Sequence, residues 1–99
     1  MAYEINWTLR VLEDIDAIAE YIARDSLYYA ESLVSKFLEA PLALKTFPKL
    51  GKIVPELENE NLREVSVFHY RVIYQLDDQK ISVLTIIHGK RILDPDDLG

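Results

Sequence analysis

Residues 62–91 read LREVSVFHYRVIYQLDDQKISVLTIIHGKR, and their alternation predicts three consecutive β-strands. In LREVSV, Arg63, Val65 and Val67 fall on one face, and Leu62, Glu64 and Ser66 on the other. In YRVIYQL, Tyr70, Val72, Tyr74 and Leu76 oppose Arg71, Ile73 and Gln75. ISVLTIIH is richer in β-branched residues, as suits a central strand buried on both faces. The links Phe68-His69 and Asp77-Asp78-Gln79 are short enough to imply antiparallel hairpins. Arg63, Arg71 and Lys90-Arg91 come from three neighbouring strands and are expected to converge on one surface, with His88 just before the last pair.

Upstream, the period changes from two to 3.6. Thr8 is an expected N-cap, and Val11, Ile15, Ile18, Ala19 and Ile22 behind it predict a helix from about Leu9 to Arg24. Its acids Glu13, Asp14, Asp16 and Glu20 read as a solvated face. Asp25-Ser26 breaks that helix and Ser26 caps a second, striped by Leu27, Ala30, Leu33, Val34, Phe37 and Leu38. So short a break implies an antiparallel helical hairpin with its inner stripes on the sheet. Pro41 should end or kink the second helix near Ala40, and Leu42, Leu44 and Phe47 suggest a further apolar turn. YEINW (3–7) reads as a strand too short for its facing to be decided. Pro48, Gly51, Pro55, Asn59 and Asn61 mark residues 47–61 as one long loop. The expected fold class is α+β, with element order β-α-α-β-β-β: a helical hairpin on a twisted, mainly antiparallel sheet, in a single domain over residues 1–99.

The bulk properties narrow the function classes. Hydrophobic residues make up 49% of the 99 and charged residues 28%, the balance of a globular chain. There is no cysteine, so a thiol nucleophile, a disulfide framework and a thiolate metal site are all excluded. Two histidines without carboxylates at ligand spacing predict no metal, and three scattered glycines form no phosphate loop. No cofactor is expected. The N-terminus lacks a basic region followed by an apolar run, and no run approaches the ~20 residues of a membrane span. Neither a signal peptide nor a membrane association is therefore expected, and the expected location is the cytoplasm.

Net charge is −6, unevenly spread. Residues 1–44 carry three cations against eight acids, residues 45–91 eight against six, and the last eight residues add three aspartates. Nucleic-acid binders present a clearly basic face, because phosphate neutralisation drives their affinity. This chain offers a local basic patch on an acidic body, so tight autonomous binding of nucleic acid is not expected.

The same residues resemble a known family. An LRE strand, YRVIY, and a strand closing on HGKR are similar to the C-terminal half of the RelE/ParE superfamily of bacterial toxins. FPKLGKIVPEL (47–57) resembles its F-P-x-x-G-[RK]-x-V-P-E segment, and NWT (6–8) its opening strand. The resemblance runs from about Tyr3 to Arg91. It implies the small fold of that superfamily and the toxin of a bacterial type II toxin–antitoxin (plasmid stabilisation) system, which arrests growth until a cognate antitoxin neutralises it.

Two modes of action then compete. An mRNA-cleaving toxin of the RelE kind works on the ribosome and needs a base, an acid and phosphate-stabilising cations. Arg71 and Arg91 fall where that branch places its arginines, but its two lysines fall on Leu62 and Glu64, and its C-terminal tyrosine near Asp97. On that reading Glu64, Arg71, His88 and Arg91 would be the catalytic set, with His88 and Glu64 standing in as acid and base. The ParE branch instead poisons DNA gyrase and requires no catalysis by the toxin. The V-P-E loop and the H-G-x-R close resemble that branch more closely, although ILDPDDLG (92–99) is acidic where ParE tails are more apolar. Arg63, Tyr70, Arg71, His88, Lys90 and Arg91 would then be target-binding residues, and whether the chain is an enzyme at all stays open. Arg71→Ala and Arg91→Ala are expected to keep the fold while lowering toxicity. A third reading is a non-toxic interaction module of the same fold.

Overall fold

A computed structural model describes residues 2–98. Strand β1 (Glu4–Trp7) leads through Thr8 into helix α1 (Leu9–Ala23). Thr8 keeps an extended backbone, its side-chain oxygen accepts the Val11 N–H at 3.2 Å, and its hydroxyl donates to the Val83 carbonyl at 2.7 Å. One residue thus caps the helix and ties its start to the sheet. Ser26 caps α2 (Leu27–Glu39) the same way, accepting the Tyr29 N–H at 3.1 Å. Pro41 has no N–H for an α-helical bond, and from Ala40 to Lys45 the chain tightens into a 3₁₀ turn.

The sheet holds β2 (Lys52–Ile53), β3 (Leu62–Val67), β4 (Tyr70–Asp77) and β5 (Lys80–His88) besides β1, in the order β1-β5-β4-β3-β2. All neighbours are antiparallel except β1 and β5, which are parallel and are separated in the chain by the helical hairpin and the other three strands. The architecture is the α+β class expected. The segment read as one long loop contains the short β2, which pairs Lys52 with Glu64 and Ile53 with Arg63. Two residues give no periodicity to read.

Apolar side chains cover both faces of the sheet. On one, Val11, Ile15, Leu33 and Phe37 of the helices pack on Val67, Val72, Val83 and Ile86. On the other, Val54 and Leu57 of the 54–61 loop and Leu93 and Leu98 of the C-terminal segment close over Ile73 and Ile87. Burying each such side chain contributes about 1.5–3 kcal/mol. Every residue from Arg71 to Tyr74 is therefore buried, although only the helical cover was legible from periodicity. Leu27 and Leu38, assigned to the inner stripe of α2, face outward instead.

Asp14 departs from the solvated face expected of α1. Pairing of β1 with β5 stops at Trp7 and Val83, and among the described residues the far end of β5 has no strand neighbour on that edge. Asp14 accepts the Ile86 N–H there at 3.1 Å and the Thr85 hydroxyl at 2.5 Å. A helix carboxylate thus supplies what a missing strand would have supplied.

Candidate functional site

The end of the sheet where β3 turns into β4 and β5 terminates forms an open cleft of about 380 Å³. Lys52, His69, His88 and Lys90 stand exposed on its rim, and Glu56, Glu64 and Arg71 line it. Lys52 is brought there by β2, His69 by the two-residue hairpin turn, and His88 and Lys90 by the end of β5. Among the described residues, no ion pair engages either lysine.

Arg71 is only 8% exposed. Its register places it opposite Ser66, so its side chain lies on the same face as Glu64, one step diagonally along the ladder. Nη2 lies 2.6 Å from Glu64 Oε1 and 2.7 Å from Glu56 Oε1, and Nε donates to both Glu64 oxygens. Nη1 donates to Glu56 Oε2 at 2.8 Å and to the Arg91 carbonyl at 3.0 Å. Glu56 Oε2 also accepts the Leu93 N–H at 2.8 Å. Mutual hydrogen bonds hold the Glu56 carboxyl down at about 2 and push Arg71 further upward, so this pair stays charged. One guanidinium therefore joins the sheet, the covering loop and the C-terminal segment.

Arg91 is more open, its side chain about half exposed, and Nη2 contacts Asp97 Oδ1 at 2.5 Å. Asp97 is buried and also accepts the Asp94 N–H at 2.9 Å. Arg10 of α1 approaches the same carboxylate at 3.7 Å. Residues 95–98 make a 3₁₀ turn pinned by these contacts.

The expected convergence of all the cations does not occur. Arg63 pairs with Tyr74 and shares its face, while Arg71 lies on the opposite face three register steps away. Arg63 donates to the Glu60 and Gly51 carbonyls, both at 2.9 Å, and holds the 51–60 segment rather than lining the cleft. Alternation within each strand does not fix facing across strands, and the register of β3 on β4 is what separates the two arginines.

Tyr70 is half-buried, packed edge-on against Phe37 at 5.5 Å and against His88 at 5.8 Å. Burial pushes its hydroxyl pKa up. The His88 ring accepts the Lys90 N–H through Nδ1 at 3.2 Å. His88 and Glu64 border the cleft from opposite faces of the sheet, because His88 pairs with Tyr70 and Glu64 with Ile73. Glu64 is 4% exposed, and its carboxylate is taken up by three contacts from Arg71.

The hairpin turn carries an unusual residue. Phe68 adopts φ 54° at a position where glycine is favoured, yet its ring is 53% exposed and leans on Tyr29 at 6.1 Å. Sequence reasoning gave no contact role to Phe68, Glu56 or Asp97, and read Asp14 as solvated. Only Glu56 carried a signal, as the last residue of the V-P-E segment.

A family model described as the ParE toxin of a type II toxin–antitoxin system, parDE, matches residues 5–93. The chain belongs to the ParE toxin family. This places it among the type II toxin–antitoxin toxins of the RelE/ParE superfamily. It is 29% identical over 90 residues to toxin RelE2 of Caulobacter vibrioides, covering 90% of this chain and 98% of that one. Three solved structures share the fold. The chromosomal ParDE system from P. aeruginosa gives a TM-score of 0.72 at 20% identity, covering 88% of this chain and 96% of the other. The RelBE2 toxin–antitoxin complex of Mycobacterium tuberculosis gives 0.62 at 19%, with 89% and 99% covered. A free E. coli RelE double mutant gives 0.64 at 14%, with 91% and 86% covered. Relatives of this ParE-family chain thus carry the names of both branches.

Proposed function

We propose that this ParE-family chain acts by binding DNA gyrase and trapping it on DNA, and that a cognate antitoxin neutralises it. The observation that carries this reading is the state of the two arginines. A phosphate-clamping site needs guanidinium groups free to meet developing charge. Arg71 is enclosed between Glu56 and Glu64, and Arg91 meets Asp97. Glu64, the other half of the acid–base pair an RNA-cleaving site would use, has its oxygens occupied by Arg71. A recognition surface has no such requirement.

On this reading Tyr70, His88 and Lys90, with Lys52 and His69 beside them, form the contact surface at the open end of the sheet. Arg71 and Arg63 hold the segments that shape it, and Arg91 joins the contact when the tail moves. The rival reading, ribosome-dependent mRNA cleavage, draws its support from the same exposed rim of histidines and lysines.

Induced expression with two reporters separates the readings. A DNA-damage response preceding any fall in protein synthesis supports gyrase as target. Immediate translation arrest without DNA damage points to the ribosome. Growth at the uninduced rate, with folded protein present, would leave a non-toxic interaction module.

A further inference from the structure

Phe68 opens the two-residue turn between β3 and β4 in a backbone conformation that its own side chain disfavours. Among the described residues other than glycine, three have a positive φ: Glu58 at 49°, Phe68 at 54° and Asp78 at 47°. Asp78 holds the matching first position of the β4–β5 turn, and its short polar side chain tolerates the left-handed region. A bulky aromatic at that position is strained, and glycine is what such a turn favours. Folding gains little in exchange. The ring is 53% exposed, and it meets Tyr29, itself on the surface, only at a tilt with centroids 6.1 Å apart. A strained turn and an aromatic ring left in water point the same way. The ring is held out for a contact that folding does not make.

The surroundings of Phe68 limit what it meets. It forms the ridge between two hollows. On one side lies the cleft whose rim carries Lys52 and Lys90. On the other, a hollow of about 490 Å³ is lined by Ala40, Ala43 and Val67, with Lys36 and Glu39 exposed at its border. An aromatic ridge beside a cationic rim fits a protein surface that offers an apolar pocket edged by acidic side chains. A nucleobase fits less well, because stacking needs an open ring along a basic track. Here Tyr29 leans on the ring and Glu39 borders the adjoining hollow.

We propose that Phe68 is a recognition anchor, its ring entering an apolar pocket edged by acidic side chains on the protein target of this surface. The inference rests on reading the open end of the sheet as a gyrase-contact surface. It adds the residue that supplies the apolar centre of that contact.

The test separates recognition from stability. Phe68→Gly and Phe68→Asn remove the ring and suit a positive φ, whereas Phe68→Tyr keeps the ring. Thermal melts, growth arrest at matched expression and the yield of gyrase cleavage complexes are compared with those of the parent chain. The Gly and Asn variants should melt at or above the parent's temperature, because the turn strain is relieved. They should nevertheless need about tenfold more protein for half-maximal complex formation, the loss expected of an aromatic anchor. Growth arrest should weaken in parallel, and Phe68→Tyr should stay close to the parent in both.

Full arrest and full complex yield from the Gly and Asn variants would overturn the anchor while leaving gyrase as the target. A parent chain that arrests growth without forming complexes would remove gyrase instead, and unweakened arrest by the variants would still overturn the anchor. Melting temperatures that fall together with the yield would make Phe68 a packing residue and overturn the proposal. So would weakened arrest that tracks a loss of mRNA cleavage on ribosomes, since the ring would then stack on a base. Light scattering that shows a parent dimer dissociated by Phe68→Gly would also overturn it, with a second copy as the occupant.

Discussion

Arg71 and Glu64 sit one diagonal step apart on adjacent strands, with Nη2 2.6 Å from Oε1, and both are almost wholly buried. Glu56, from the covering loop, closes on the other side of the same guanidinium at 2.7 Å. This triad lies beneath a rim of exposed lysines and histidines. It also changes what mutation of Arg71 means.

Arg71→Ala would leave two carboxylates facing each other with their shared cation gone. Removing one partner from a buried ionic group costs about 3–5 kcal/mol. Urea unfolding should show a loss of that order, so any fall in toxicity of this variant would reflect unfolding. That reverses the expectation from sequence that Arg71→Ala keeps the fold. A loss below about 1 kcal/mol would show that the triad does not stabilise the chain.

Acid should loosen the same joint. The Glu56 carboxyl lies at about 2 in the folded chain against an ordinary value of 4.5, so the folded state binds fewer protons than the unfolded one. Its stabilising contribution is fully present above about 4.5 and disappears as pH falls towards 2. Unfolding midpoints measured down that range should decline for the parent chain and decline less for Glu56→Gln. Parallel curves would contradict the assignment.

The C-terminal segment should be releasable by one change. Asp97→Asn weakens the contacts to Arg91 and Arg10 that pin residues 95–98. Trypsin cleavage after Arg91 should then accelerate several-fold, since local opening sets that rate, while circular dichroism stays the same. An unchanged cleavage rate would show that Leu93 and Leu98, with the contacts from Arg71 and Glu56, hold the segment without Asp97.

Gly51 should be intolerant for a packing reason. A Cβ there would meet the Glu64 carbonyl at 2.5 Å and the Tyr74 hydroxyl at 2.6 Å. The Tyr74 hydroxyl accepts the Gly51 N–H at 3.0 Å and donates to the Pro48 carbonyl at 2.8 Å. Gly51→Ala should cost about 1–3 kcal/mol by overpacking. Tyr74→Phe should cost a similar amount, about 1–3 kcal/mol, by leaving both backbone groups unpaired. Thermal melts of the two variants check both figures.

Much of the fold was legible because its signals are local. The caps at Thr8 and Ser26, the stop at Pro41 and the alternation of β3 and β4 are written within a few residues of where they act. The site was less legible because its chemistry depends on register and on long-range cover. That Glu56 would close over Arg71, fifteen residues away, required the path of a loop with little periodicity. Asp97 was hidden in the same way, since the tail's apolar anchors, Leu93 and Leu98, are too sparse to announce a packed segment. Phe68 broke a local rule of turn chemistry, and such a break is itself a sign of selection for something other than folding.

The central claim is that this chain traps gyrase rather than cutting RNA. The direct measurement incubates the purified chain with gyrase, ATP and supercoiled plasmid and quantifies protein-linked linear DNA. The account predicts that cleavage complexes accumulate, and that His88→Ala/Lys90→Ala, which alters the exposed rim, lowers their yield without unfolding the chain. Folded protein that yields no such complexes but cleaves mRNA on ribosomes would contradict it.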